Sequence, residues 1–268
     1  MQRIGIMAAM HGEIASLLEQ MESVITRRIG MRDYHEGDLH GTPCVVVLAR
    51  IGKVAAAATA VTLVREFGVD QVIFTGLAGG VARRARIGDV VIGTSLLQHD
   101  LDVRPLFPRY EIPLLGQGRI EADLDLVAQL AQSTQRYFEN DWHREVPIDL
   151  RDSFGLGTPQ MHMGLIVSGD QFVCDAGTVR ALRDALPDAL CVEMEGAAVA
   201  QVCHEYGARF AVARIVSDRA DNTAGHDFND FLTQVASHYS AGILRWFMKA
   251  AVTVAPDPGA GARRRLQH

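Results

Sequence analysis

Short apolar runs alternate with helix-period segments along most of the 268-residue chain, and that alternation constrains the fold more than any other feature. Residues 3–9 (RIGIMAA), 44–50 (CVVVLAR), 71–75 (QVIFT), 87–100, 161–167, 189–194 (ALCVEM) and 209–218 (RFAVARIVSD) read as strands. Most are continuously apolar rather than alternating, as expected of a sheet covered on both faces. Helical patterns lie between them. Ile14, Leu17, Leu18 and Met21 share one face, and an Ala-rich helix follows Gly52 and stops at Gly68. Further helices are expected over 121–138, over 176–186 with Asp175 as its cap, and from Gly196 to a stop at Gly207. One last helix is expected over 226–252. Thr42-Pro43 should break the chain ahead of the second strand. The pattern predicts an α/β chain folded as a single-domain three-layer α/β/α sandwich.

Composition narrows the function classes. Hydrophobic residues make up 48% and charged residues 22%, which excludes collagen, coiled coil and a disulfide-stapled miniature scaffold. A net charge of −6 supplies no basic field for nucleic acid. Lys53 and Lys249 are the only lysines, and neither sits in a P-loop motif. Cys44, Cys174, Cys191 and Cys203 form no C-x-x-C pair, so free thiols in a reducing, cytoplasmic setting are expected. The N-terminal apolar stretch is too short for a signal peptide, and no run approaches a membrane span of about 18 residues. Residues 104–118 carry three prolines and read as a loop; 139–160 look like an irregular insertion. The folded domain is expected over 1–253, with a disordered tail over 254–268.

In sheets of this kind ligands collect at the carboxyl ends of strands. There the chain places Glu13, the GLAGG run 76–80, Ser168-Gly169-Asp170, Glu193-Met194-Glu195 and Ser217-Asp218. Each has a plain structural reading. Glu13 falls where a carboxylate caps a helix. GLAGG lacks the G-x-G-x-x-G spacing and suits a tight turn. VEME carries two acids where a helix start needs one, and Asp218 could cap the next turn. Convergence of several acids from separate segments on one edge is what points to a site. His99-Asp100-x-Asp102 is the only string with metal-ligand character, but such strings also arise at strand ends, and no metal is expected.

The segments IGIMAAMHGEI, RIGKVAAA, TGLAGG, GDVV with HDLDV, IVSGDQFV, VEMEGAAVA and ARIVSD occur in the order seen in nucleoside phosphorylase-type proteins. They most closely resemble the 5′-methylthioadenosine/S-adenosylhomocysteine nucleosidases, across about residues 3–250. The resemblance implies a mixed central sheet, a homodimer, hydrolysis of the N-ribosidic bond to adenine, and neither metal nor organic cofactor. It implies that Glu13 activates the attacking water and must stay ionised. Asp218, beside Ser217, would protonate the purine, a task that needs its pKa lifted well above about 3.9. Glu195 would bind the ribose hydroxyls with Met194 and Glu193 nearby, and Ala78 and Gly79 would also bind substrate. Phe172 would stack on adenine and the Val173 backbone would bond its edge. Arg214 would hold water and carboxylates. Ile51, Phe107 and Pro113 would line the pocket for the 5′-thio substituent, the last two from the partner subunit.

Leu77 stands where these nucleosidases carry a serine, and where related phosphorylases use a hydroxyl to hold phosphate. That change, and a carboxylate at position 13 that would repel phosphate, favour hydrolysis over phosphorolysis. The alternatives are a phosphate-dependent phosphorylase, a hydrolase of another 5′-modified or futalosine-like nucleoside, and a non-catalytic binding protein. The complete Glu13, Glu195 and Asp218 set argues against the last.

Overall fold

The first apolar run forms β1 (Ile4–Ala8), and α1 (His11–Glu19) comes after it with Ile14 and Leu17 buried. The computed structural model describes residues 3–220 and 224–254. A hairpin comes next where no strand is expected: β2 (Glu22–Ile29) and β3 (Arg32–Leu39), turning through Gly30 and Met31, both at positive φ. β2 is exposed nearly throughout, so it presents no apolar run to read. β4 (Thr42–Leu48) contains Pro43 instead of starting after it. The β1 ladder begins only at Cys44, so on that side Pro43 needs no donor.

α2 (Lys53–Glu66) ends before Gly68, whose φ of +62° supplies the left-handed stop. β5 (Gln71–Gly80) then runs on through GLAGG, so that segment is strand and not a tight turn. It keeps its extended path because β10 and β9 pair with it there. After β6 (Val90–Gln98) come the expected loop, a short β7 (Arg119–Glu121) and α3 (Leu124–Asn140). The region expected to be an irregular insertion holds two short helices, α4 (Trp142–Glu145) and α5 (Ile148–Ser153). It is anchored by Trp142, fully buried, whose Nε1 donates to the Tyr239 hydroxyl at 2.6 Å.

β8 (Met161–Ser168) leads to α6 (Ala176–Ala185), and Asp175 Oδ1 accepts from the Thr178 N–H as a cap should. β9 (Ala189–Glu193), α7 (Gly196–Tyr206) and β10 (Arg209–Asp218) fall where the pattern puts them, α7 stopping at Gly207. The expected last helix is broken into α8 (Ala224–Gln234) and α9 (Ala236–Val254). The tail beyond 254 lies outside the described residues.

The strands make one mixed sheet in the order β10-β6-β8-β9-β5-β1-β4-β3-β2, with β7 on β6. β10 also pairs with β5, so β5, β10, β6, β8 and β9 close a ring while β1, β4, β3 and β2 extend from it as an open wing. α1 and α3 pack on α9, and α2 packs on α7; these two helix groups give the α/β/α layering. Ile6, Met7, Phe74, Val212 and Phe247 are buried between the layers. Among the described residues no helix is long and apolar enough to cross a membrane.

Candidate active site

A cavity of about 440 Å³ opens where β1, β5, β9 and β10 end. Glu13, Ile51, Ala78, Gly79, Phe172, Val173, Glu193, Met194, Glu195 and Asp218 all line it, so ten of the residues singled out from sequence meet in one space. Arg214 and Ser217 stand behind the wall and bond to lining residues. Phe107 and Pro113 are not among the described residues that line it. They belong to a loop with no apolar periodicity, so nothing local fixes where they dock. Sequence reasoning missed Ala9, Met10, Gln171, Val192, Phe228 and Asn229. Phe228 had a signal in principle: an aromatic at the start of the last helical pattern. Its ring meets that of Phe172 edge to face, with centroids 5.5 Å apart.

Glu13 both caps its helix and reaches the cavity. At the third position of α1 its Oε2 accepts from the Ala9 and Met10 N–H groups, each at 2.8 Å, which caps the helix. Its Oε1 accepts from the Leu77 N–H of β5 at 2.9 Å, and the carboxylate still faces the cavity. A Cβ at Gly76 would stand 2.7 Å from that oxygen, so only glycine lets strand and carboxylate approach this closely. Burial raises the Glu13 pKa above its ordinary value; Arg214 and the three N–H donors pull it back down. The ionised form that the resemblance asks for therefore depends on those donors.

Behind this wall lies one buried cation among three acids. Arg214 Nη2 and Nε donate to Glu193 Oε2 at 2.7 and 3.2 Å, and the guanidinium stacks on the Phe74 ring at 4.0 Å. Glu193 also accepts from the Glu195 and Gly196 N–H groups at the start of α7, and from the Ser168 hydroxyl. Ser168 in turn accepts from the Ala197 N–H, which ties the end of β8 to α7. Both acids of VEME line the cavity, but Glu193 is tied into the network of Arg214, Ser168 and the start of α7, while Glu195 Oε1 accepts from the Gly52 N–H at 2.7 Å. Burial, together with the neighbouring Glu193, pushes the Glu195 pKa up to about 8, against the pull of Arg214 and the Gly52 N–H.

Asp218 reaches the cavity through a β-bulge. β10 pairs Val216 with Ala78 but Asp218 with Gly79, so Ser217 is the extra residue and turns the Asp218 side chain towards the cavity. Asp218 Oδ2 accepts from the Ser217 hydroxyl at 2.8 Å and Oδ1 from the Ala220 N–H at 2.7 Å. A Cβ on Gly79 would lie 3.1 Å from Oδ1 and 2.9 Å from the Ala220 Cβ, which explains the glycine. Leu77 holds Glu13, and Gly79 adjoins Asp218. Two strand residues, roughly 7 Å of rise, separate these anchor points.

The His99-Asp100-x-Asp102 string is taken up in ion pairs. Asp100 binds Lys53 Nζ at 2.6 Å and the Asp170 N–H, and Asp102 binds Arg104. Among the described residues no group of three or more His, Cys, Asp or Glu is arranged to hold a metal ion.

The phosphorylase superfamily profile matches residues 3–249. A 5′-methylthioadenosine/S-adenosylhomocysteine nucleosidase of Shewanella halifaxensis is 35% identical over 239 residues, covering 89% of this chain and 95% of its own. The Neisseria meningitidis enzyme of the same name, solved with methylthio-immucillin-A, superposes with a TM-score of 0.82 at 35% identity, covering 93% of this chain and all of its own. A futalosine hydrolase mutant of Helicobacter pylori superposes at 0.79 with 29% identity, over 93% of this chain and all of its own. The chain belongs to the phosphorylase superfamily, and within it to the 5′-methylthioadenosine/S-adenosylhomocysteine nucleosidases.

Proposed function

We propose that this protein hydrolyses the N-ribosidic bond of 5′-methylthioadenosine and S-adenosylhomocysteine, releasing adenine and the 5-thio-substituted ribose. The observation that carries the reading is the meeting of Glu13 and Asp218 in one cavity, held against the same strand two residues apart, with Glu195 and Phe172 beside them. Adenine is a poor leaving anion, so it needs a proton as the C1′–N9 bond breaks. Asp218 delivers that proton to the purine ring, oriented by Ser217 and the Ala220 N–H. The sugar becomes oxocarbenium-like, and water attacks C1′ while Glu13 accepts its proton. Glu195 accepts hydrogen bonds from the ribose hydroxyls. Phe172 stacks on the base, and the Val173 backbone bonds its edge.

Phosphate is disfavoured as the nucleophile. The position beside the attack site offers the apolar side chain of Leu77, and the Glu13 carboxylate repels an anion there. The working form is a homodimer. Phe107 and Pro113 stand away from their own cavity, Leu106 and Leu114 of the same loop are 81% and 91% exposed, and Ile51 is 54% exposed at the cavity edge. The partner's loop would cover that edge and finish the 5′-thio pocket. The protein acts in the cytoplasm, where its four free thiols stay reduced. No cofactor takes part.

Incubation with methylthioadenosine, with and without phosphate, tests the reading. Adenine and free methylthioribose should form at the same rate in both. A sugar 1-phosphate that appears only with phosphate would overturn it.

A further inference from the structure

Beside the cavity lies a second groove of about 460 Å³, and Ile51 lines both. Its walls carry Arg32, Arg50, Lys53 and Asp170. Arg50 holds a φ of +71°, a left-handed backbone that favours glycine and disfavours a long side chain. Its Nη2 donates to the Met31 carbonyl at 2.6 Å. Arg32 donates from Nε to the Ala49 carbonyl at 3.1 Å and from Nη2 to the Ala55 carbonyl at 3.3 Å. Neither guanidinium has a carboxylate partner among the described residues; both are held by backbone carbonyls with their charge unneutralised. Lys53 differs, since Asp100 and Asp170 already flank its Nζ at 2.6 and 3.5 Å. Asp170 Oδ1 accepts from the Lys53 N–H at 3.0 Å, and with its side chain 55% exposed the carboxylate still faces the groove. The groove therefore offers an anion site and an acid side by side, next to the residue expected to touch the 5′-thio group.

We infer that this groove is a subsite for the zwitterionic end of an amino acid carried on the 5′ sulfur, with Arg50 and Arg32 taking its α-carboxylate and Asp170 its ammonium. The inference rests on the hydrolase reading and deepens it by assigning the part of S-adenosylhomocysteine that methylthioadenosine lacks. In homocysteine three bonds separate the sulfur from the carbon that bears both charges, so the two can only be met beyond the thio pocket. A methyl group ends short of the groove and gains nothing from it. Charge-assisted bonds between guanidinium and carboxylate are directional and among the stronger polar contacts. The strained Arg50 is then accounted for as a guanidinium presented at the substrate's far end.

The test uses the purified full chain and Arg50→Gly, a change that the left-handed backbone accommodates. Values of kcat/KM are measured for S-adenosylhomocysteine, for methylthioadenosine and for 5′-S-(3-aminopropyl)-5′-thioadenosine, which keeps the ammonium and lacks the carboxylate. The ratio of S-adenosylhomocysteine to methylthioadenosine should fall about tenfold in the variant, carried by KM, equivalent to about 1.4 kcal/mol. The wild type should disfavour the aminopropyl compound against S-adenosylhomocysteine by a similar factor, and the variant should not. Ratios within twofold of wild type in the variant would overturn the subsite while leaving hydrolysis standing. A wild type that cleaves neither natural nucleoside would instead refute the hydrolase reading, and the subsite with it.

Discussion

Replacing Glu13 by Gln keeps the shape of the side chain and removes its charge, and the surrounding donors determine what that should cost. Both carboxylate oxygens are occupied: Oε2 accepts from Ala9 and Met10, and Oε1 from Leu77. An amide has one acceptor oxygen. Turned towards Ala9 and Met10 it keeps two bonds and sets its NH₂ against the Leu77 N–H; turned the other way it keeps one. The first orientation wins, and it forfeits one bond to a charged acceptor, worth about 1.5–3 kcal/mol. Against that loss, the variant no longer buries an ionised group whose pKa burial raises. The two effects oppose each other, so the urea midpoint should move little. The rate should not share that tolerance. On the proposed mechanism Glu13 takes the water's proton, so its loss is expected to lower kcat by ~10²–10⁴-fold, about 2.7–5.4 kcal/mol of barrier. The pH dependence carries its own sign. A carboxylate with a raised native pKa contributes stability that is complete below its unfolded value and is lost as pH rises through the native one. Glu13→Gln should therefore gain on wild type as pH rises. Adenine release from methylthioadenosine and urea unfolding, run side by side, check both halves. A kcat within fivefold of wild type would show that water is activated elsewhere.

Asp218→Asn should abolish turnover while leaving nucleoside binding and the unfolding midpoint nearly intact; calorimetric titration with methylthioadenosine beside a rate assay separates the two, and near-normal turnover would remove the acid role. Glu195 has its pKa raised from 4.5 to about 8, so its contribution to stability is complete below about pH 4.5 and lost by about pH 8. Urea midpoints between those limits should decline less steeply in Glu195→Gln than in wild type. Trp142→Ala should cost about 3–5 kcal/mol, since it empties a fully buried site and leaves the Tyr239 hydroxyl without its donor. The folded fraction should keep its kcat, because Trp142 does not line the cavity; a loss of kcat would tie 139–160 to the site.

The legible parts of the sequence are those where burial writes itself into composition. β10 matches its expected span at both ends because residues 210–218 are buried throughout, and the cap at Asp175 and the stop at Gly207 are local chemistry. The β2–β3 hairpin is illegible for the opposite reason: it lies on the open wing, β2 is exposed nearly throughout, and the charged, half-buried residues of β3 look like loop. GLAGG reads as a turn because glycines mark turns when nothing else intervenes; here two neighbouring strands and the Glu13 carboxylate demand the missing side chains. The acids of the site are visible as strand-end residues. Their division of labour is not, because which VEME glutamate meets Arg214 depends on the start of α7 relative to β10, a relation no local pattern encodes.

The ring made by β5, β10, β6, β8 and β9 has a mechanical meaning. A strand in an open sheet can slide past its neighbour by breaking one ladder, and a shift of one residue turns every side chain over. β10 is zipped on both sides, in parallel to β5 and antiparallel to β6, and those two are joined again through β8 and β9. To slip, it would have to open two seams together against a circuit with no loose end. The alignment of Arg214 and Asp218 is thus secured by topology more than by any one contact. Damage to the interior of β10 should show first as a protein that melts sooner, and only later as one whose acids point the wrong way.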